Sequence, residues 1–95
     1  MRLKDIAEFK VNNPDADFWL IRKGDESTVG TPTKTFSPEN IGVTITRPDL
    51  IIPQYLYYMF QYFVSNGTFK NLSHGTTRLK NISIGDIKNI LIRTT

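Results

Sequence analysis

Apolar positions along the chain change period several times, and each period predicts an element. In the segment from Arg2 to Lys10, Leu3, Ile6 and Ala7 fall on one helical face, which predicts a short N-terminal helix. Asn12, Asn13, Pro14 and Asp15 then form a cluster of turn-favouring residues. Phe18 to Arg22 reads as a first strand, followed by a long polar loop from Lys23 to Thr33. A short strand is expected at Lys34 to Phe36, and Ser37 to Asn40 is a turn. From Ile41 to Arg47 the period is two: Ile41, Val43 and Ile45 alternate with Gly42, Thr44 and Thr46, the pattern of a half-buried strand.

The period then returns to that of a helix. Pro53 suits a first helical turn, and Gln54 to Val64 is expected to be helical, stopped by Ser65, Asn66 and Gly67. Leu56, Met59, Phe60 and Phe63 form one face of this helix, and Tyr55, Tyr58 and Tyr62 form a second. A helix apolar on two faces is expected to be buried on both, the second against another copy or a sheet that wraps round it. Phe69 and Leu72 predict one more helical turn. Ile82, Ile84, Ile87 and Ile90 bracket another at Gly85–Asn89, and Ile90 to Arg93 is expected as a last strand. No repeat, linker or low-complexity tract interrupts the pattern. The predicted class is α+β: one domain over residues 1–95, with a short antiparallel or mixed sheet packed on one aromatic-rich helix plus short helices.

Composition narrows the chemistry. The 95 residues are 39% hydrophobic, enough for one modest core. There is no cysteine, which excludes disulfides, thiolate metal sites and thiol catalysis and suits a reducing cytoplasm. The start has no apolar stretch of signal-peptide length. The most apolar run, Leu50 to Val64, is broken by Pro53, Gln54 and Gln61 and is shorter than the ~20 residues of a membrane span. No membrane association is expected. Net charge is +3, unevenly placed. Residues 1–49 hold seven Lys and Arg against eight Asp and Glu, whereas residues 50–95 hold five (Lys70, Arg78, Lys80, Lys88, Arg93) against Asp86 alone. A polyanionic partner fits the basic half.

Catalytic patterns are poorly supported. One histidine and no clustered carboxylates give no expected metal site. Pro14-Asp15, Pro48-Asp49 and Glu8-Phe9-Lys10 carry the dipeptides of a metal-dependent nuclease in the wrong order, and each reads more simply as a turn or surface pair. Ser73, Thr76 and Thr77 lie near His74 but without a nucleophile elbow. No catalytic residue and no cofactor are expected. Phosphate binding fits better. The segments 23–34 and 74–80 are both glycine-containing, hydroxyl-rich and flanked by cations. Backbone N–H groups near glycine, with Ser27, Thr28, Thr31, Thr76 and Thr77, can hold phosphate oxygens. Arg78 can grip a guanine edge or a phosphate. Asp25 and Glu26 oppose an anion in the first loop.

The order of four segments resembles the target-recognition domain of type I restriction–modification specificity subunits. The chain opens with Leu3, Asp5, Ile6, Ala7 and Glu8, matching that family's L-x-D-I-A-E. It then carries Pro53, Tyr55, Leu56, Tyr57 and Tyr58, matching P-x-Y-L-Y-Y. Gly75, Thr76 and Thr77 match a Gly-Ser/Thr-Thr turn, and Ile82, Ile84, Asp86, Ile87, Ile90 and Ile92 match its closing apolar segment. The resemblance covers nearly the whole chain. It implies recognition of double-stranded DNA without catalysis, through the 23–34 and 74–80 loops. Lys23, Lys34, Lys70, Arg78, Lys80 and Lys88 would then meet phosphates, with Arg78 and His74 first to enter a groove.

A family domain is about half again this length and is followed by a long helix that docks a methyltransferase. Here the chain stops at Thr95 without that helix, so a methyltransferase subunit is not an expected partner. The expectation is a small DNA-binding protein of the cytoplasm or nucleoid, of bacterial or phage type. It would work as a homodimer through Tyr55, Tyr58 and Tyr62, in sequence-independent DNA organisation or in regulation. The alternative is a module that docks on a restriction–modification complex through the tyrosine face without touching DNA.

Overall fold

A computed structural model describes residues 1–92. The first sheet has four antiparallel strands: β1 (Ala7–Val11), β2 (Phe18–Leu20), β4 (Pro32–Thr33) and β5 (Ile41–Ile45), in the order β1-β5-β2-β4. A second sheet of three two-residue antiparallel strands joins β3 (Lys23–Gly24), β7 (Lys80–Asn81) and β6 (His74–Gly75), with β7 central. The helices are α1 (Pro53–Ser65), α2 (Thr68–Leu72) and α3 (Ile84–Lys88). The predicted α+β class is the observed one.

Core packing centres on Phe60 of α1. Its ring meets Phe9 of β1 and Phe18 of β2 edge-on at 6.3 and 5.9 Å, and stacks on Phe69 of α2 at 5.6 Å. Aromatic pairs at these separations each add about 0.5–1.5 kcal/mol to the area they bury. Leu56 and Phe60 are fully buried, and Met59 and Phe63 pack against them, so the first predicted face of α1 is the core face. Pro53 starts the helix, where its missing N–H is no loss. Ser83 caps α3, its Oγ accepting the Asp86 amide at 3.1 Å.

Several expectations are corrected. Residues 2–10 are not one helix: a single 3-10 turn at Leu3–Asp5 leads into β1. Ala7 and Phe9 are buried while Glu8 and Lys10 are exposed, so strand period prevails there over the helical spacing of Leu3, Ile6 and Ala7. The pairing of β1 with β5 along all five residues supplies what a lone helix of that length lacks. The strand expected at 34–36 forms two residues earlier at β4. That strand is a sheet edge, where Pro32 omits no ladder bond. The last strand expected at 90–93 reduces to one bridge between Leu91 and Arg2, and Arg93 lies outside the described residues.

β5 departs from simple alternation. It is a central strand, and Gly42 is buried along with Ile41 and Val43. A Cβ on Gly42 would sit 2.9 Å from the Ala16 Cβ, so the 13–16 turn crosses the outer face of the sheet there. Finally, Tyr55, Tyr58 and Tyr62 are 59%, 56% and 62% exposed, so the second face of α1 is not buried within the described chain.

Candidate functional site

Both loops singled out from sequence converge in the second sheet. Its register places Lys23 opposite Asn81, and Asn81 opposite His74. Gly24 lies opposite Lys80, and Lys80 opposite Gly75. Directly opposed residues of antiparallel strands project to the same face. Lys23, Asn81 and His74 therefore form one outward row, all exposed. Lys80 projects to the other face between two glycines and is half-buried.

The β6–β7 connection is the four-residue turn Thr76–Leu79. The Leu79 amide donates to the carbonyl and the Oγ1 of Thr76, both at 3.2 Å. Gly75 adopts φ +111°, and a Cβ there would lie 2.2 Å from the Leu79 carbonyl oxygen, so only glycine lets the hairpin close this tightly. The Glu26 amide donates to the Thr77 carbonyl at 3.1 Å and fastens the 25–31 loop to the hairpin tip. Gly30 anchors that loop at its base. It has φ +88°, and a Cβ would lie 2.2 Å from the Phe69 ring.

Within the first loop the hydroxyl groups are already engaged. Ser27 Oγ and Thr28 Oγ1 donate to the Asp25 carboxylate at 2.8 and 2.7 Å, and Thr31 Oγ1 donates to the Thr28 carbonyl at 2.6 Å. Thr28, then Ser27, hold the Asp25 carboxyl below its usual range by these hydrogen bonds. These residues shape the loop. Lys70 Nζ lies 3.7 Å from Glu26 Oε1, which offsets one of the loop's two negative charges.

His74 Nε2 lies 3.0 Å from Asp86 Oδ2. The hydrogen bond from His74, then that from Ser83, lowers the Asp86 carboxyl below its usual value. The tie joins the outer row of the second sheet to α3. Arg78 at the hairpin tip is exposed and makes no ion pair among the described residues.

Not every predicted contact residue joins this cluster. Lys34 Nζ sits 5.5 Å from the Tyr57 ring centroid, beside a shallow cleft of about 360 Å³ lined by Asp17, Phe18, Lys34, Pro53, Gln54 and Tyr57. Tyr57 is fixed there by donating its hydroxyl to the Pro32 carbonyl at 3.1 Å. Lys88 stands two residues beyond Asp86, roughly 200° round α3 from it. The nuclease-like carboxylates stay apart: Glu8 lies on β1, Asp15 in the 13–16 turn, and Asp49 pairs with Arg47 at 2.8 Å. Among the described residues no three His, Asp or Glu side chains come within metal-binding reach, and no helix is long and apolar enough to cross a membrane.

Sequence reasoning missed Asn81 and Leu79. Asn81 Nδ2 donates to the His74 carbonyl at 3.4 Å, and Leu79 is 76% exposed at the turn. Strand alternation over two residues is too short to reveal either role.

No protein-family profile and no curated protein matches this chain. Among solved structures, the crystal structure of a type I restriction–modification system S subunit from M. genitalium matches with a TM-score of 0.70 at 14% sequence identity. The match covers 95% of this chain and 32% of that one, so the chain spans about a third of that subunit's length. The fold is therefore α+β, with two antiparallel sheets and three helices among the described residues, and is similar to part of an S subunit.

Proposed function

We propose that this protein binds double-stranded DNA without catalysing a reaction on it, using the second sheet and its two loops as the contact surface. One observation carries the reading: Lys23 and His74, far apart in the chain, share one exposed face of a small sheet, with Arg78 exposed at its hairpin tip and Lys80 on the other face. Positive side chains set among glycine-rich backbone amides are what phosphate oxygens require. Thr76 and Thr77 add donors at the tip. Ser27, Thr28 and Thr31 contribute by holding the neighbouring loop in shape, and Lys70, Lys34 and Lys88 extend the positive field around the centre. The fold likeness to an S subunit supports the same reading, as does the order of the sequence motifs.

Two copies of the chain work together in this proposal. The Tyr55, Tyr58 and Tyr62 face is exposed on a helix that carries no charged residue, so the same helix of a second copy is its natural complement across a two-fold axis. Binding follows phosphate and shape more than base sequence, and the protein acts in organising DNA or regulating access to it, in a bacterial cytoplasm or nucleoid.

A gel-shift titration on unrelated duplexes of equal length, at low and moderate salt, tests this. Binding that weakens steeply with salt is expected, with Arg78→Ala reducing the slope of log affinity against log salt by about one. Absence of any shift at low salt would sink the DNA reading and favour a docking module that uses the tyrosine face.

A further inference from the structure

Among the described residues, Leu79 is the most exposed of the large hydrophobic side chains. It does not sit on a loose segment. Its amide is held by both oxygens of Thr76, its carbonyl oxygen occupies the space a side chain on Gly75 would need, and the next residue is Lys80 in the central strand of the second sheet. The tied backbone of the turn thus carries a bare isobutyl group at the hairpin tip. Arg78 stands before Leu79 at the exposed tip, the threonines of the same turn add hydroxyls, and Lys80 follows it in the chain with its side chain on the face of the sheet away from His74.

A protein partner would surround an apolar anchor with further apolar contacts. This rim instead suits a ligand that is negative at its edge and apolar within. Duplex DNA has that character, with phosphates flanking a groove whose floor is a stack of bases. Cation-flanked apolar side chains enter such grooves and part a base step, bending the duplex by roughly 20–90°.

We propose that Leu79 is a wedge that the β6–β7 hairpin inserts between adjacent base pairs, bending the bound duplex. The proposal rests on the DNA-binding reading above and adds to it a residue and a deformation. An anionic lipid surface shares the charged-rim chemistry, but a single leucine buries too little area to hold a membrane.

Two optical readouts on a short duplex test it: energy transfer between dyes at its two ends, and the fluorescence of aminopurine bases placed along it. Wild-type protein is expected to raise both. Leu79→Ser should abolish both rises and weaken binding about tenfold at fixed salt, while leaving the salt slope unchanged, since Leu79 neutralises no phosphate. Leu79→Met, still an apolar wedge, should keep both signals. The exposed position leaves folding intact in both variants, checked by circular dichroism. If wild-type protein binds without either rise, or if Leu79→Ser bends and unstacks like wild type, the wedge is overturned while DNA binding stands. Failure of wild type to bind any duplex overturns the DNA reading itself. Leu79-dependent binding to phosphatidylserine vesicles without DNA unstacking replaces the duplex with a lipid surface.

Discussion

The two sheets of this protein are built by opposite means. In the first, β1 and β5 pair over five residues and bury Phe9, Ile41 and Val43 against Phe60. In the second, each strand has two residues, the paired residues are exposed or half-buried, and the structure is held by Gly75, Gly30, the Glu26–Thr77 backbone bond and the His74–Asp86 tie. A buried aromatic core supplies cooperative stability. A sheet of two-residue strands borrows its order from that core through Gly30 under Phe69 and Ile82, whose amide donates to the Arg22 carbonyl at 3.1 Å.

Removing the centre of the first region breaks the comparison most strongly. Phe60→Ala should lower stability by about 3–5 kcal/mol and unfold both regions together in a denaturant titration, because the second has no core of its own. Two separated transitions would show that the second sheet stands independently. Gly75→Ala should act more locally. With φ at +111° and the Leu79 carbonyl in the way, strain of about 1–3 kcal/mol should open the hairpin. Faster amide exchange is expected over residues 74–81, with exchange in β5 and α1 unchanged.

The smallest effect concerns pH. The Asp86 carboxyl is lowered from its ordinary 3.8 by His74, then by Ser83. A group depressed in the folded state contributes stability that is present above its unfolded value and lost as pH falls through the folded one. The Asp86 contribution should thus be present above about 3.8 and be lost as pH falls below it. Asp86→Asn should flatten that acid limb in thermal melts without touching the core. An unchanged acid profile would show that the tie stabilises nothing.

How legible each region was follows from these same differences. Helix α1 was readable because thirteen residues give several turns of period, with Pro53 marking the start. β5 and the core of β2 were readable from alternation and apolar runs. The N-terminal segment misled because Leu3, Ile6 and Ala7 satisfy a helical spacing, while Ala7, Phe9 and Val11 satisfy a strand one. Only the partner strand chooses between them. The tyrosine face was legible as apolar, yet its exposure depends on what the rest of the chain leaves uncovered. Of the candidate site, the residue types and the basic half were visible, but Lys34 and Lys88 looked equivalent to Lys23 and Lys80 until the fold separated them.

The sequence by itself determined the α+β class, the aromatic core helix, the existence of a strand from Ile41 and the concentration of positive charge in the second half. Each of these is a property of local spacing or composition, summed over enough residues to stand above chance. Only the tertiary structure decided that the 23–31 and 74–81 segments are one surface, that Lys80 and His74 project to opposite faces of it, and that Leu79 stands bare at its tip. Those facts depend on pairings between two-residue strands far apart in the chain. Two residues are too few to carry a period, so their register is set by the core that brings them together.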